Sequence, residues 1–339
     1  MKKSITLLLV VTLILALFAF VGCGHDREDA AAGVDLTVSV VVSTQFGDKS
    51  FNDSAKVGGE ALEEYYGVKV KYKECNGSEY EQAMMDAAKV SDFVVPVGWE
   101  FWRVADIALE YPDTKFIWVD NVVDGVENYP NLLCVTYAQN EGSFLTGYIA
   151  AKTSKSGTIG VVAGDESLTI KDFIAGYKQG AKLANEKVKV LVDYADSFED
   201  IEAGKVCARR LYSKGADVIF QIAGRAGNGV FQIAKEKGFY AIGVDQDQKL
   251  TASEYQDVIL CSMIKNVGKS IYETIKAYIK EETWEGGRVW NTDMSSEYIS
   301  IAYGNKNSTQ LISDELKAEV EQLKKKVVSG EIVVDSAMK

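Results

Sequence analysis

The chain has 339 residues, 47% of them hydrophobic, and 37 Lys and Arg against 49 Asp and Glu give a net charge of −12. Such an acidic protein offers no basic face to phosphates, which excludes DNA or RNA as a partner. The single histidine, His25, lies before the first strand-like run, so the folded part holds no Ser-His-Asp or Cys-His nucleophile and no His-ligated metal.

Lys2 and Lys3 precede an uncharged apolar run from Ile5 to Val21, the layout of a secretory signal. The run is also as long as a short membrane span, so an uncleaved anchor is the alternative. Phe20-Val21-Gly22-Cys23 closes it and resembles a bacterial lipobox, with Phe20 where leucine is usual. That resemblance implies cleavage before Cys23 and lipidation of its thiol, with residues 1–22 as signal peptide. Removing them takes away two lysines and no acid, and the charge moves from −12 to −14. Residues 23–35 are small and polar and read as a tether.

From residue 37 strand-like and helix-like stretches alternate. Thr37–Val42 is apolar enough for a strand buried on both faces. A helix over Asn52–Tyr66, a strand over Val68–Lys73 and a helix over Glu79–Lys89 follow. Phe93–Val97, Phe116–Val119 and Leu132–Tyr137 are strands, with a helix over Phe101–Glu110. A long helix begins near Glu141 and stops at Gly157. The pattern then repeats, with strands at Ile159–Val162, Val188–Val192, Val218–Ile222, Tyr240–Val244 and Val258–Met263. Helices are predicted over Ile170–Asn185, Asp200–Ser213, Gly229–Lys237 and Val267–Lys280. Ser313–Gly330 is a charged helix with one stripe of Leu316, Val320, Leu323 and Val327. Two such β-α runs predict an α/β protein with two doubly wound parallel sheets. Cys75, Cys134, Cys207 and Cys261 have no zinc spacing, and three sit among apolar neighbours, as buried thiols do.

In doubly wound sheets ligands bind beyond the carboxyl ends of the strands, and two facing sheets make a cleft. The first such loop, Ser43 to Asp53, carries Phe51 and Asn52. Phe51 can stack on a heterocycle and Asn52 can read an amide-like edge. Equally, Ser50 or Asn52 can cap the next helix while Phe51 packs inward.

Gly47-Asp-Lys-Ser-Phe-Asn-Asp-Ser-Ala55 is very similar to the opening signature of the basic membrane protein family, the purine-nucleoside-binding lipoproteins of bacterial ABC uptake systems. Glu141–Gly147, Ala216–Phe220, Ala223–Phe231, Ile242–Gln248 and Ser262–Lys265 agree with that family in order. The resemblance implies a type I periplasmic-binding-protein fold whose two lobes are joined by a hinge. It places residues 36–139 and about 264–290 in one lobe, and 140–263 and about 291–339 in the other. It implies a monomer that takes a nucleoside, hands it to an ABC permease and needs no cofactor. Asp48, Phe51 and Asn52 then belong to the site, and Asp245 with Lys265 resembles the ribose-binding pair. A salt bridge between strand ends is the alternative for those two residues. Asp120, Trp99, Phe198 and Gly224 are further cleft candidates, each with a packing or capping alternative. Ser43, Thr44, Trp99 and Arg225 depart from the usual pattern, which leaves riboflavin or a free base open as ligands. A surface sensor or adhesin, and a carboxylate-based nucleoside hydrolase, are the competing functions.

Overall fold

A computed structural model describes residues 34–338. The stretch expected to be a signal peptide, the expected lipidation site Cys23 and the expected tether as far as residue 33 lie outside the described residues.

The first half holds β1 (Thr37–Val42), α1 (Phe51–Tyr66), β2 (Lys69–Glu74), α2 (Tyr80–Ala88), β3 (Phe93–Val97), α3 (Val104–Glu110), β4 (Lys115–Val119) and β5 (Leu132–Tyr137). The second holds α4 (Gln139–Thr153), β6 (Thr158–Ala163), α5 (Leu168–Ala184), β7 (Lys189–Tyr194), α6 (Ile201–Ser213), β8 (Val218–Ile222), α7 (Asn228–Lys237), β9 (Tyr240–Asp245), α8 (Gln248–Thr251) and β10 (Ile259–Lys265). The chain ends through α9 (Val267–Glu281), β11 (Arg288–Thr292), β12 (Ile299–Ala302) and α10 (Asp314–Val328).

The strands form two six-stranded sheets, ordered β11-β5-β4-β3-β1-β2 and β12-β10-β9-β8-β6-β7. Every neighbouring pair runs parallel except β10 with β12. Strand residues alternate between faces, so one strand feeds two cores. In β1, Val38, Val40 and Val42 join the core under α1, while Val41 joins the cluster under α2 and α3. A third cluster lies under α6 and α7 of the second sheet. The open edge at β2 carries Lys69, Lys71 and Lys73, which discourage pairing with another chain.

The chain passes between lobes three times. Ala138 separates β5 from α4, which packs on α5. Asn266 separates β10 from α9, which returns to pack on α1 of the first lobe. Residues 293–298 separate β11 in the first sheet from β12 in the second. These crossings are bonded to one another: Ala138 N donates to Thr292 O at 2.8 Å and Asn266 N to Tyr298 O at 2.9 Å. β11 and β12 were not expected from sequence. β11 is a mixed, half-exposed edge strand and β12 is only four residues long.

Glycines let the helices meet backbone to backbone. A Cβ on Gly180 of α5 would collide with the carbonyl of Phe144 in α4, and one on Gly147 with that of Tyr177. Gly180→Ala is therefore expected to destabilise the protein by about 1–3 kcal/mol, the usual cost of overpacking. A lower urea midpoint at unchanged slope is the signature; an unchanged midpoint would show that the helices can part. The tail helix α10 packs on α4 with Val320 and Val327 buried. The four cysteines among the described residues, Cys75, Cys134, Cys207 and Cys261, are buried and free.

Candidate functional site

The carboxyl ends of β1, β3, β4, β6, β7, β8, β9 and β10 and the loops after them converge on one cleft between the lobes. It encloses about 710 Å³ of non-protein space, part of it open to solvent. Its lining includes all nine ligand candidates: Asp48, Phe51, Asn52, Trp99 and Asp120 from the first lobe, and Phe198, Gly224, Asp245 and Lys265 from the second.

Lys265 ends β10 and is almost wholly buried. Its ammonium pairs with Asp120 Oδ1 at 2.6 Å, a partner supplied by the other lobe. It also stands 5.1 Å from the ring centroids of Phe51 and Tyr137 and 5.5 Å from that of Phe173. The strand-end salt bridge offered as the alternative would join Asp245 and Lys265; the ion pair of Lys265 is with Asp120 instead. Asp245 takes its direct bond from across the cleft instead, where Ser50 Oγ donates to Oδ2 at 2.5 Å. Burial pushes the Asp245 carboxyl up to about 6, against the opposing pulls of Lys265 and the Ser50 hydroxyl. Burial raises Asp120 as well, and Lys265 draws it back.

Both aspartates have backbone in the left-handed region that favours glycine, with φ of 74° at Asp120 and 66° at Asp245. Such positions cost about 1–3 kcal/mol each and cluster at ligand sites. Here the turn swings each carboxyl off its strand end and into the cleft.

The first loop is held from within. Asp48 accepts from the backbone N–H groups of Ser50, Asn52 and Asp53 at 2.9–3.1 Å, and so caps α1 in place of Ser50 or Asn52. Burial nevertheless lifts its carboxyl to about 7, the bonds from Asn52, Ser50 and Asp53 pulling the other way. Asn52 Nδ2 donates to Thr44 Oγ1 at 2.8 Å and Gln45 O at 3.0 Å. Its donor end is therefore committed to the loop, which leaves the amide oxygen as the part able to meet a ligand. Phe51 satisfies both readings offered for it, since its ring packs against the core and also lines the cleft under Lys265.

The second lobe grips this loop. Asn228 Nδ2 donates to Asp48 O at 3.1 Å, Gln248 Nε2 to Lys49 O at 2.9 Å, and Lys49 pairs with Glu254 at 2.7 Å. At the cleft rim Gln45 Nε2 donates to Glu199 at 2.7 Å, and Arg225 lies 3.6 Å from the same carboxylate. Arg225 thus answers an acid on its own lobe. Gly224 lines the cleft, whereas Gly227 packs on Gln221 and Gly229 on the carbonyl of Ile201. Phe198 lies flat on Gly164, where any Cβ would strike its ring. Trp99 is 45% exposed at the rim. Glu141 accepts from Met294 N at 2.9 Å, which ties α4 to the third crossing.

Several lining residues were not foreseen, among them Glu100, Thr169, Phe173 and Glu199. Phe173 lies within a helix that reads as amphipathic, with no local sign that it faces a ligand. Among the described residues no group of three His, Cys, Asp or Glu could hold a metal ion, and no helix is long and apolar enough to cross a membrane.

Comparison with known proteins agrees with this geometry. The family described as ABC transporter substrate-binding protein PnrA-like matches residues 36–337. Basic membrane protein A of Borreliella burgdorferi is 36% identical over 305 residues, covering 88% of this chain and 87% of its own. Basic membrane protein A2 of Borrelia garinii is 35% identical over 332 residues, covering 96% and 95%. An ABC transporter solute-binding protein from Aeropyrum pernix superposes with a TM-score of 0.78 at 24% identity, over 89% of this chain and 93% of that one. A second from Conexibacter woesei gives 0.72 at 22%, over 89% and 99%. The fold is that of the type I periplasmic solute-binding proteins. With a family match over nearly all the described residues and a cleft built to enclose a small molecule, the chain belongs to the PnrA-like basic membrane protein family, substrate-binding proteins that present a solute to an ABC permease and are not enzymes.

Proposed function

We propose that the cleft takes a nucleoside, held at its sugar by Asp245, Asp120 and Lys265 and at its base between aromatic side chains of the two lobes. The observation that carries this reading is an ammonium paired with the Asp120 carboxylate beside the Phe51 ring, with the buried Asp245 carboxyl within its electrostatic reach. A carboxylate can accept from two neighbouring hydroxyls at once, which suits a vicinal diol. The ammonium keeps such carboxylates ionised and can itself donate to a sugar oxygen. Phe51 and Phe198 come from opposite lobes, so closure brings an aromatic face to each side of a base.

Charge supports a neutral ligand. Asp48, Glu100, Asp120, Glu199 and Asp245 line the cleft, with Lys265 the one cation among the described lining residues. A nucleotide's phosphate would meet that acidic wall, so a nucleoside fits better than its phosphorylated form. Export and lipidation at Cys23, read from residues 1–23, suit a solute catcher tethered beside its permease.

Isothermal titration with inosine, guanosine and adenosine tests the reading, and absence of heat with all three rejects it. Phe51→Ala is expected to weaken binding by about 1–3 kcal/mol, the range found when a stacking ring is removed. Unchanged affinity in that variant would place the base elsewhere in the cleft.

A further inference from the structure

The β4-β3-β1 strand order sets the loop after β3 between Asp120, which follows β4, and Ser43, which follows β1. That loop is Gly98-Trp99-Glu100, and Glu100 is half-buried in it. Its carboxyl turns back onto Gly98, whose φ of 120° and missing Cβ make room for it; a side chain at residue 98 would collide with Glu100 Oε2. Glu100 thus lines the cleft, as Ser43 and Thr44 do. Ser43 supplies its hydrogen bond from another side chain, and the charged groups acting on it, Asp165 and Asp120, are both acids. A carboxylate has about four acceptor sites. The Ser43 hydroxyl and the residue's own N–H answer part of that capacity, in a place where burial disfavours the charge. What is missing is a donor, and the cleft is where it would come from.

We propose that Glu100 is the specificity-determining residue for the heterocycle, accepting from adjacent N–H groups on the ligand's edge and so favouring guanosine over adenosine. The inference rests on the nucleoside reading of the cleft. A guanine edge presents a ring N–H next to an amino group, two parallel donors to one carboxylate. Hypoxanthine presents the ring N–H alone. Adenine presents a ring nitrogen that is itself an acceptor, which faces the carboxylate lone pair to lone pair. Ser43 acts as a positioning residue, holding the carboxyl against Gly98.

The test is titration of the full-length protein and its Glu100→Gln variant with guanosine, inosine and adenosine at pH 8. Wild type is expected to rank them guanosine, inosine, adenosine, with at least a tenfold span. Glu100→Gln keeps the shape but replaces one acceptor by a donor. It is expected to lose guanosine affinity at least tenfold, to gain on adenosine and to narrow the span, at an unchanged melting temperature. Ser43→Ala, which leaves the carboxyl in place but unheld, is expected to move the guanosine-to-adenosine ratio the same way by a few fold. A wild type that prefers adenosine, or a folded Glu100→Gln protein with the three affinities in their original ratio, overturns the role of Glu100 while the nucleoside reading stands. A wild type that binds none of the three overturns the nucleoside reading and this inference with it.

Discussion

Asp245→Ala is expected to abolish tight nucleoside binding while leaving the protein folded. Hydrogen bonds to a charged group are each worth about 1.5–3 kcal/mol. Two sugar hydroxyls on this carboxylate would therefore cost about 3–6 kcal/mol to release, at least a hundredfold in affinity. Folding is spared because Lys265 keeps its direct partner, Asp120, at 2.6 Å, and because burial already penalises the Asp245 charge. The free base, with no hydroxyls to offer, should lose far less. Titrating base and riboside side by side reads the difference; equal losses would remove Asp245 from the sugar. The same assignment gives wild type a pH dependence of known sign. Hydroxyl donors favour the ionised carboxyl, so a bound sugar lowers the Asp245 value below its ligand-free position of about 6. Affinity should then be full above pH 6 and weaken below it, by at most about tenfold per pH unit for one proton. Asp245→Ala should lack that inflection.

The second large effect is on stability. Lys265→Met leaves the mostly buried Asp120 without its partner and the buried Asp245 without a nearby cation. Breaking a buried pair in this way costs about 3–5 kcal/mol. The same variant also forfeits the ammonium's contacts with Phe51, Tyr137 and Phe173. These two losses differ in their response to pH. Both carboxyls are already raised in the folded protein, and removing the ammonium raises them further. A carboxyl whose folded value lies above its unfolded value of about 3.9 binds protons preferentially in the native state. Its stabilising contribution is complete below that unfolded value and is lost as pH rises through the folded one. The variant should therefore approach wild type at pH 5 and fall well short at pH 8. Wild type itself should lose some stability across the same window, through Asp245 at about 6 and Asp48 at about 7. Urea midpoints at the two pH values decide the matter. A deficit of equal size at both would mean that Lys265 serves chiefly to pack the aromatic rings.

Most of the architecture could be read from residue pattern because parallel strands buried on both faces are nearly continuous apolar runs. Thr37–Val42 and Phe93–Val97 carry such a signal, and the helices between them have clear stripes. β11 and β12 escaped for the opposite reason. Arg288-Val-Trp-Asn-Thr292 is an edge strand with half its residues in solvent, and its pairing with β5 joins residues more than 150 apart in sequence. The nine ligand candidates converge on one cleft because strand-end loops do so in any doubly wound sheet. What sequence could not supply is the pairing among them. The Lys265–Asp120 bridge, the Ser50–Asp245 bond and the support of Gln248 beneath Lys49 each join two lobes, and no spacing along the chain encodes them. Glu100 was hidden because its direction depends on the backbone of Gly98 and the hydroxyl of Ser43, neither of which marks a carboxylate as buried.

The three passages of the chain between lobes also govern the order of assembly during synthesis. β5 gains its outer neighbour only at Arg288–Thr292, and α1 is covered only when Val267–Glu281 arrives. A chain made from its N-terminus thus holds about 100 residues of first-lobe sequence with an apolar helix face bare and β5 paired on one side only until nearly the whole polypeptide exists. Such an intermediate exposes the surfaces that chaperones cover and that aggregates recruit. The first lobe, though begun first, is finished late, and a truncation before residue 288 should leave it a client for quality control and not a half-sized binding domain.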